Sequence, residues 1–183
     1  MRIVAGKYKG KRFDVPHTFK ARPTTDFAKE GLFNILHNVY VNFDDGPSAL
    51  DLFCGTGSIS LELLSRGCSR VVSVEKDFKH YQFLKRICHD LGDTKWRPLY
   101  GDVFKYLKSA GEHFDLIFAD PPYALENLAE LPDMIFSSNG SNETLLQSGG
   151  LFILEHGRNY DFSHHAHFVE HRNYGSVNFS FFQ

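Results

Sequence analysis

Four consecutive residues, Asp120, Pro121, Pro122 and Tyr123, have types and an order that could activate an amine for reaction. They follow the apolar run 114–119, which predicts a buried strand, and ligands in open α/β sheets bind at the carboxyl ends of strands. The Asp120 carboxylate and the Pro121 carbonyl can both accept hydrogen bonds from an exocyclic amine of a base, which localises its lone pair and aims it at a methyl group. Both prolines fix φ and hold these acceptors in place, and Tyr123 can stack on the base. We therefore predict that these four residues are catalytic.

A glycine-rich turn follows the first strand of the alternating part of the chain. Gly55, Thr56 and Gly57 separate the apolar run 48–53 from a predicted helix. Glycine permits a tight turn and a close approach of the backbone to a ligand. A dinucleotide fingerprint would need a third glycine where Ser60 stands, and a P-loop would need a Gly-Lys-Ser/Thr sequence, which is absent. The turn therefore predicts a different kind of cofactor site.

The pattern Asp-x-Phe-x-Gly-x-Gly over residues 51–57 resembles motif I of class I S-adenosylmethionine methyltransferases. The resemblance implies S-adenosylmethionine as the cofactor, and its cationic sulfonium and α-amino groups suit acidic residues near the loop. Glu75 ends the second predicted strand, where a carboxylate can accept hydrogen bonds from both ribose hydroxyls. The predicted cofactor-binding residues are Asp51, Phe53, Gly55, Thr56, Gly57, Glu75, Lys76, Asp102, Val103 and Asp120.

Two further patterns extend this interpretation. Asp102 follows the third predicted strand, where it could accept a hydrogen bond from the adenine amino group, and Val103 could supply a backbone contact. Residues 120–123 resemble the [Asp/Asn]-Pro-Pro-[Phe/Tyr/Trp] signature of amino-group methyltransferases. These enzymes act on adenine N6, cytosine N4, guanine N2 or protein glutamine, and the four residues do not choose among them.

Strand and helix alternate from residue 48 onward, which predicts parallel βαβ units with helices on both faces. The expected α/β fold is Rossmann-like, with a mostly parallel seven-stranded sheet, an antiparallel edge hairpin and a small N-terminal β-hairpin extension. Predicted strands cover residues 48–53, 70–74, 96–100, 114–119, 151–155, 167–172 and 176–182. The first predicted helix is capped by Thr25 or Asp26 and carries apolar residues at helical spacing as far as Val39. Further predicted helices cover 58–65, 78–91, 103–109, 126–136 and, as a second piece, 143–147. We expect one domain over 1–183, with 1–25 as the extension and 26–183 as the catalytic core.

Charge is distributed unevenly along the chain. Residues 1–22 carry seven Lys and Arg and one Asp, whereas the whole chain has a net charge of −2. A basic end on an acidic body fits an arm that meets a polyanion. Short β-prone runs, broken by Gly6 and Gly10, predict a hairpin in this arm. Its expected nucleic-acid contacts are Lys7, Tyr8, Lys9, Lys11 and Arg12.

The two ends of the chain make the resemblance narrower. Residues 2–12, 22–26 and 32–34, together with Asn173-Tyr174-Gly175, resemble the RsmD family of bacterial 16S ribosomal RNA guanine-N2 methyltransferases. The resemblance implies a guanine of 16S rRNA as the substrate, within the small ribosomal subunit or an assembly intermediate. It also implies RNA-binding residues near the active site, namely Arg22, Thr24 and Thr25. The chain departs from the family at 27–30, where the helix start is less basic, and at 137–143, which is longer.

Two alternatives remain at this point. One is an adenine-N6 methyltransferase acting on DNA or RNA, and the other is a non-catalytic RNA-binding protein on the same fold, against which the intact sequence 120–123 argues. The short basic arm predicts modest affinity for free RNA, so we expect a preference for a particle that carries protein. Glu155, at the end of the fifth predicted strand, either supports the site or is solvated.

The cysteines Cys54, Cys68 and Cys88 form no Cys-x-x-Cys pair and no disulfide framework, which favours a reducing cytoplasm. The N-terminus lacks the apolar region of a signal peptide, and no apolar run is long enough to span a bilayer. We expect a cytoplasmic monomer without membrane contact. We also expect no metal site, because no Cys or carboxylate pattern completes the histidine cluster at 164–167.

Overall fold

A seven-stranded sheet in the order β3-β2-β1-β4-β5-β7-β6 forms the centre of the protein, in a computed structural model that describes residues 1–19, 25–137 and 144–183. The first five strands run parallel, whereas β7 runs antiparallel to both β5 and β6. This arrangement confirms the predicted Rossmann-like fold with an antiparallel edge. The strands are β1 Ser48–Leu52, β2 Arg70–Glu75, β3 Trp96–Tyr100, β4 Phe114–Ala119, β5 Leu146–His156, β6 Phe168–Tyr174 and β7 Val177–Phe182.

Among the described residues, five α-helices pack on the sheet, and side chains from the preceding loops cap several of them. The Thr25 hydroxyl accepts a hydrogen bond from the Ala28 amide, which places the start of α1 where the sequence predicts it. The helices are α1 Asp26–Ile35, α2 Ser58–Arg66, α3 Phe78–Leu91, α4 Val103–Ser109 and α5 Leu131–Phe136, with a π-helix at Leu36–Tyr40 and 3₁₀ turns at Phe43–Asp45 and Leu128–Glu130. Within the described ranges, no helix is both long and apolar enough to cross a membrane.

Alternate side chains of each strand enter two separate cores, as strand geometry requires. On β4, Leu116 and Phe118 pack with α1, α2 and α3, whereas Ile117 and Ala119 pack with α4 and α5. The same alternation holds along β1, β2 and β5. We call the face of the sheet that is covered by α1, α2 and α3 the α1–α3 face. Ile3 of the N-terminal segment also packs in the core on this face.

The N-terminal arm forms a minimal hairpin that is tied to α1 and α2. Its pairing consists of an antiparallel bridge between Arg2 and Arg12 and a few flanking backbone bonds. The buried Lys29 ammonium donates to the Arg2 carbonyl at 2.7 Å and to the Ser58 hydroxyl at 3.2 Å. The fully buried Glu62 carboxylate accepts bonds from the amides of Val4 and Ala5 at 2.8 and 3.0 Å. A lysine of α1 and a glutamate of α2 thus fix the base of the arm.

Three predictions of local structure were wrong in part. The segment 126–136 is a 3₁₀ turn followed by the short α5 rather than one helix, since Pro132 favours a helix start at that point. The predicted helical piece at 143–147 is not helical where it is described: β5 already begins at Leu146, and residue 143 lies outside the described ranges. The closing turn lies at Gly175 and Ser176 rather than at 173–175, because Gly175 adopts a φ of 66°.

Candidate active site

Four carboxyl groups converge at the carboxyl ends of β1, β2, β4 and β5, on the α1–α3 face of the sheet. Asp51 lies in β1 opposite Ser73, and Glu75 ends β2 two residues later. The β4–β5 register pairs Ala119 with Leu154, so Asp120 and Glu155 follow as neighbours. Asp51, Glu75 and Glu155 are each less than a tenth exposed, and Asp120 is partly buried. Such a cluster of buried acids is a favourable environment for a cation.

Asp51 lies deepest in this cluster and is held by the first turn of α2. Its carboxylate accepts hydrogen bonds from the Ser60 amide at 3.0 Å and from the Ser60 hydroxyl. The Ser60 hydroxyl in turn contacts the Ser73 hydroxyl at 2.6 Å, which accepts from the Trp96 indole at 2.8 Å. Burial, opposed in part by the Ser60 bonds and increased by the charges of Asp120 and Glu75, raises the pKa of Asp51 to about 7.

The glycine turn joins β1 to α2 through several residues in the left-handed region. Gly55 has a φ of 54° and Gly57 a φ of 75°. A β-carbon on Gly57 would lie 2.7 Å from Leu84 and 3.2 Å from Trp96, so both conformation and packing require glycine there. Phe53 also has a positive φ of 59°, which is uncommon for a bulky residue and marks the loop as conformationally special.

Glu75 holds the glycine turn against the loop that follows β2. One of its carboxylate oxygens accepts a hydrogen bond from the Gly55 amide at 2.8 Å, and the other accepts from the Asp77 amide at 2.6 Å. Thr56 is buried within the turn, whereas Lys76 is exposed beside it. Glu75 therefore joins the two loops in which half of the predicted cofactor-binding residues lie.

Asp102 and Val103 lie where β3 passes into α4. The Asp102 carboxylate accepts a hydrogen bond from the Lys105 amide at 3.1 Å and so caps α4. The Val103 side chain is buried among the residues of the second core. The Gly101 amide donates to the Glu75 carbonyl at 2.9 Å, which brings this loop next to the end of β2.

The Asp120-Pro121-Pro122-Tyr123 segment leaves the sheet beside Glu155. Pro121 is buried and Pro122 is exposed, while the Tyr123 ring is 53% exposed. The Tyr123 hydroxyl lies 3.5 Å from a Glu155 carboxylate oxygen. Burial and the nearby charge of Glu155 raise the pKa of Asp120 well above its ordinary value, and burial with the same acids raises the pKa of Tyr123 to about 12.

For Glu155, the sequence allowed two interpretations: a residue that supports the site or a solvated strand end. It is 4% exposed and faces the Asp120 segment rather than solvent. The signal in the sequence was weak, because a single acid after an apolar run is common. Only the register between β4 and β5 brings it next to Asp120.

The residues predicted to bind nucleic acid lie on the arm, and part of the arm is anchored to the protein. The Asp93 carboxylate receives the Lys7 ammonium at 2.5 Å and the Tyr8 hydroxyl at 2.8 Å. The Lys7 amide also donates to the Ser65 carbonyl near the end of α2. At a rise of 1.5 Å per residue, this contact lies about 10 Å along the helix from the glycine turn. Among the predicted contacts, Lys7, Lys9, Lys11, Arg12 and Thr25 are exposed and Tyr8 is partly buried, while Arg22 and Thr24 lie outside the described ranges.

Comparisons with known proteins agree with this architecture. A family model described as conserved hypothetical protein 95 matches residues 1–183. Ribosomal RNA small subunit methyltransferase D of Escherichia coli K12 is 31% identical over 135 residues, covering 74% of this chain and 66% of that protein. The putative rRNA methyltransferase YlbH of Bacillus subtilis is 34% identical over 162 residues, covering 86% and 83%. The solved structure of the hypothetical protein TTHA0928 from Thermus thermophilus superimposes with a TM-score of 0.82 at 30% identity, covering 100% of this chain and 99% of that one.

Proposed function

Because this chain belongs to the RsmD family of ribosomal RNA methyltransferases, we propose that it methylates rRNA with S-adenosylmethionine, at the exocyclic N2 amine of a guanine in 16S rRNA. The single observation that supports the chemistry best is the group of four carboxyls at the strand ends, with Asp120-Pro121 at its rim. The choice of guanine N2 and of 16S rRNA rests on the resemblance of the sequence to the family.

The residues around the glycine turn fit a cationic nucleoside cofactor. Asp51 and Glu75 place carboxyl groups around the turn, which a cationic ligand would favour in their ionised form, and Gly55 and Gly57 let the backbone approach a ligand closely. We assign the ribose hydroxyls to Glu75 and the adenine amine to Asp102, with Phe53, Thr56, Lys76 and Val103 completing the walls. When bound, the cofactor supplies a methyl group on a positively charged sulfur, and the acids nearby favour that charge.

Asp120 and Pro121 would orient the accepting amine. The Asp120 carboxylate and the Pro121 carbonyl each accept one N–H of the amine, so the nitrogen lone pair is localised and directed into the site. The prolines hold both acceptors in position without a rearrangement when the base enters. The half-exposed Tyr123 ring can cover one face of the base by stacking.

The neighbouring acids also provide for the proton that the amine must lose. Once the nitrogen has gained a methyl group it carries a positive charge and gives up one proton. Asp120 is its nearest acceptor, and its raised pKa makes it a better base than an ordinary aspartate. Burial is the larger cause of that raised pKa, and the charge of Glu155 beside Asp120 adds to it.

The remaining assignments follow from the charge of the arm. We propose that 26–183 hold the catalytic core and that 1–25 help to grip RNA through the exposed Lys9, Lys11 and Arg12. Because Lys7 and Tyr8 are already bound to Asp93, we expect them to shape the arm more than to contact phosphate. We expect a monomer that acts on the small subunit or an assembly intermediate in preference to stripped RNA.

The test is a methylation assay with labelled S-adenosylmethionine and small ribosomal subunits from cells that lack this gene. Digestion to nucleosides and mass analysis would identify the product, which we expect to be N2-methylguanosine. Asp120→Ala should abolish the label. Cofactor binding in calorimetry should weaken but stay measurable, because Asp120 is one of several predicted cofactor contacts. Asp90→Ala is a matched control, because Asp90 is an exposed aspartate on α3 whose carboxylate lies 3.4 Å from the ring of the neighbouring His89.

Each outcome separates one part of the proposal from another. N6-methyladenosine as the product would refute the guanine assignment but keep the catalytic site. Normal cofactor binding without transfer to either subunits or stripped 16S rRNA would refute the substrate. Failure to bind S-adenosylmethionine at all would favour a non-catalytic RNA-binding protein.

A further inference from the structure

Three aromatic rings form a patch on the surface where β2 and β3 end, which we call the edge patch. Its members are Phe78, Tyr81 and Tyr100. The ring of Tyr100 lies 5.4 Å from Phe78 and 5.5 Å from Tyr81, measured between centroids. Phe78 is 52% exposed and Tyr100 is 58% exposed, so the rings support each other while presenting apolar surface to solvent.

The edge patch belongs to a wider distribution of exposed aromatic side chains. Within the part of the chain that the structure describes, the Phe and Tyr residues classed as exposed are Phe27, Phe78, Tyr100 and Tyr123. Phe27 and Phe78 lie in the first turns of α1 and α3. Tyr100 is the last residue of β3, and Tyr123 lies in the loop after β4. Phe78, Tyr100 and Tyr123 therefore lie at the strand ends that carry the carboxyl cluster. Phe27 packs against Tyr174, the last residue of β6, and so lies on the other side of Asp120.

Burial elsewhere makes this placement informative. The two cores take up nearly all other large apolar side chains, including the single Trp at position 96. Covering a ring of this size normally stabilises a fold by about 1.5–3 kcal/mol, so leaving three of them exposed at these strand ends forgoes stability there. Apolar residues scattered singly over a surface need no explanation, whereas rings in contact with one another, as in the edge patch, form contiguous apolar surface that is a candidate for binding.

The charges beside the edge patch favour a polyanion over an apolar partner. Lys76 and Lys79 are both exposed and lie within two residues of Phe78. The intervening Asp77 turns its carboxylate toward the helix, where it accepts hydrogen bonds from the amides of Lys79 and His80. Aromatic faces with cations at their rim are how proteins bind unpaired nucleotides, because every base offers a face for stacking.

We propose that the edge patch binds an unpaired nucleotide adjacent to the methylated one, with its base stacked on Phe78 or Tyr100 and its phosphate near Lys76 and Lys79. This inference rests on the proposed function, since it takes RNA to be the substrate. It adds a second RNA contact at the β3 side of the site, opposite the side on which Phe27 packs against Tyr174. A target base could then be held in place from a neighbouring nucleotide rather than by the arm alone.

The experiment compares the double variant Phe78→Ala/Tyr100→Ala with the aromatic swap Phe78→Tyr/Tyr100→Phe. Dissociation constants for 16S rRNA are measured by filter binding, which does not require activity, and KM and kcat are measured on small subunits. Loss of one stacked base should weaken RNA binding about 5- to 150-fold in the alanine variant. The aromatic swap should stay within about 2-fold, and cofactor affinity in calorimetry should be unchanged in both.

Val39→Ala provides a second control, because Val39 is a 66% exposed apolar residue on the π-helix and does not belong to the edge patch. It should leave RNA binding unchanged. Thermal unfolding of each variant establishes that the fold is intact, which is expected since both mutated rings are on the surface.

Three results would overturn the inference. Unchanged RNA affinity in the alanine variant would show that the rings do not contact a nucleotide. A loss of cofactor affinity as large as the loss of RNA affinity would assign the rings to the cofactor instead. A defect on assembled subunits with normal binding to stripped RNA would point to a ribosomal protein as the partner. A wild-type protein that yields no methylated nucleoside refutes the proposed function, whereas the binding comparison still decides the role of the patch.

Discussion

Gly57 offers a substitution whose cost can be worked out from the structure, because a second glycine shares its conformation but not its surroundings. Gly57 has a φ of 75° and a ψ of 21°, and Gly92 has a φ of 62° and a ψ of 20°. A β-carbon on Gly57 would approach Leu84 at 2.7 Å and Trp96 at 3.2 Å. On Gly92 it would meet nothing within 4 Å. Replacing each glycine by alanine therefore separates steric crowding from backbone strain.

The magnitudes follow from these two situations. A left-handed alanine costs about 1–2 kcal/mol, and the reduced freedom of the unfolded chain returns about 0.4–1 kcal/mol. Gly92→Ala should therefore lower the free energy of unfolding by about 0.5–1.5 kcal/mol. Gly57→Ala carries in addition about 1–3 kcal/mol for overpacking, since Leu84 and Trp96 are both buried and cannot move freely. We expect a total loss of about 2–4 kcal/mol.

Urea unfolding followed by tryptophan fluorescence measures both variants, and the chain holds a single Trp, which lies beside the substituted position. Gly57→Ala should also weaken binding of S-adenosylmethionine, because Leu84 and Trp96 push the glycine turn out of place, whereas Gly92→Ala should not. Equal destabilisation of the two variants would refute the steric argument. Normal cofactor affinity in Gly57→Ala would refute the role assigned to the turn.

Three further predictions concern buried charges. Lys29→Met should lower the free energy of unfolding in urea by about 3 kcal/mol, because it removes two hydrogen bonds and a cation 3.9 Å from the buried Glu62; a loss below about 1 kcal/mol would contradict this. For Asp51, a folded pKa of about 7 against an ordinary 3.8 means that the folded state holds more protons between these values, so wild-type stability falls as pH rises through that window. The free energy of unfolding of Asp51→Asn should therefore rise relative to that of wild type between pH 5 and 7, by roughly 1.4 kcal/mol per pH unit at most. If urea titrations give the same difference between variant and wild type at every pH, a buried, protonated Asp51 is excluded. Burial is the larger cause of the raised pKa of Asp120, and the charge of Glu155 is the second. Glu155→Gln removes that second contribution, so the acid limb of the methylation rate should move to lower pH; an unmoved limb would argue against the coupling.

The parallel part of the fold was predictable because its signals are local. Strands β3 and β4 and helices α3 and α4 have the bounds that the apolar patterns and caps indicate. Asp77 and Asp102 each begin a helix by accepting hydrogen bonds from its first amides, and such caps are readable in a sequence. The glycine turn and Asp120-Pro121 could be placed at strand ends for the same reason.

The parts that sequence reasoning missed depend on contacts between distant residues. Residues 147–150 contain two glycines and polar side chains, which indicate a loop, yet they extend β5 because a register shift opposite β4 accommodates them. Lys29 looks like an ordinary exposed helix residue until Glu62 and the arm enclose it. Glu155 and the edge patch became recognisable only when the sheet brought separate strand ends together.

The carboxyl cluster shows why these misses concentrate near the site. Asp51 is buried, and the charges of Asp120 and Glu75 oppose its ionisation, so the fold by itself gains nothing from placing these acids together. Asp120 is likewise opposed by Glu155. An arrangement that costs stability persists when a ligand offsets the cost, and a positively charged ligand does so by favouring the ionised form of each acid at once. The unfavourable grouping of acids, more than any one motif, is therefore the physical argument for a cationic cofactor at this edge of the sheet.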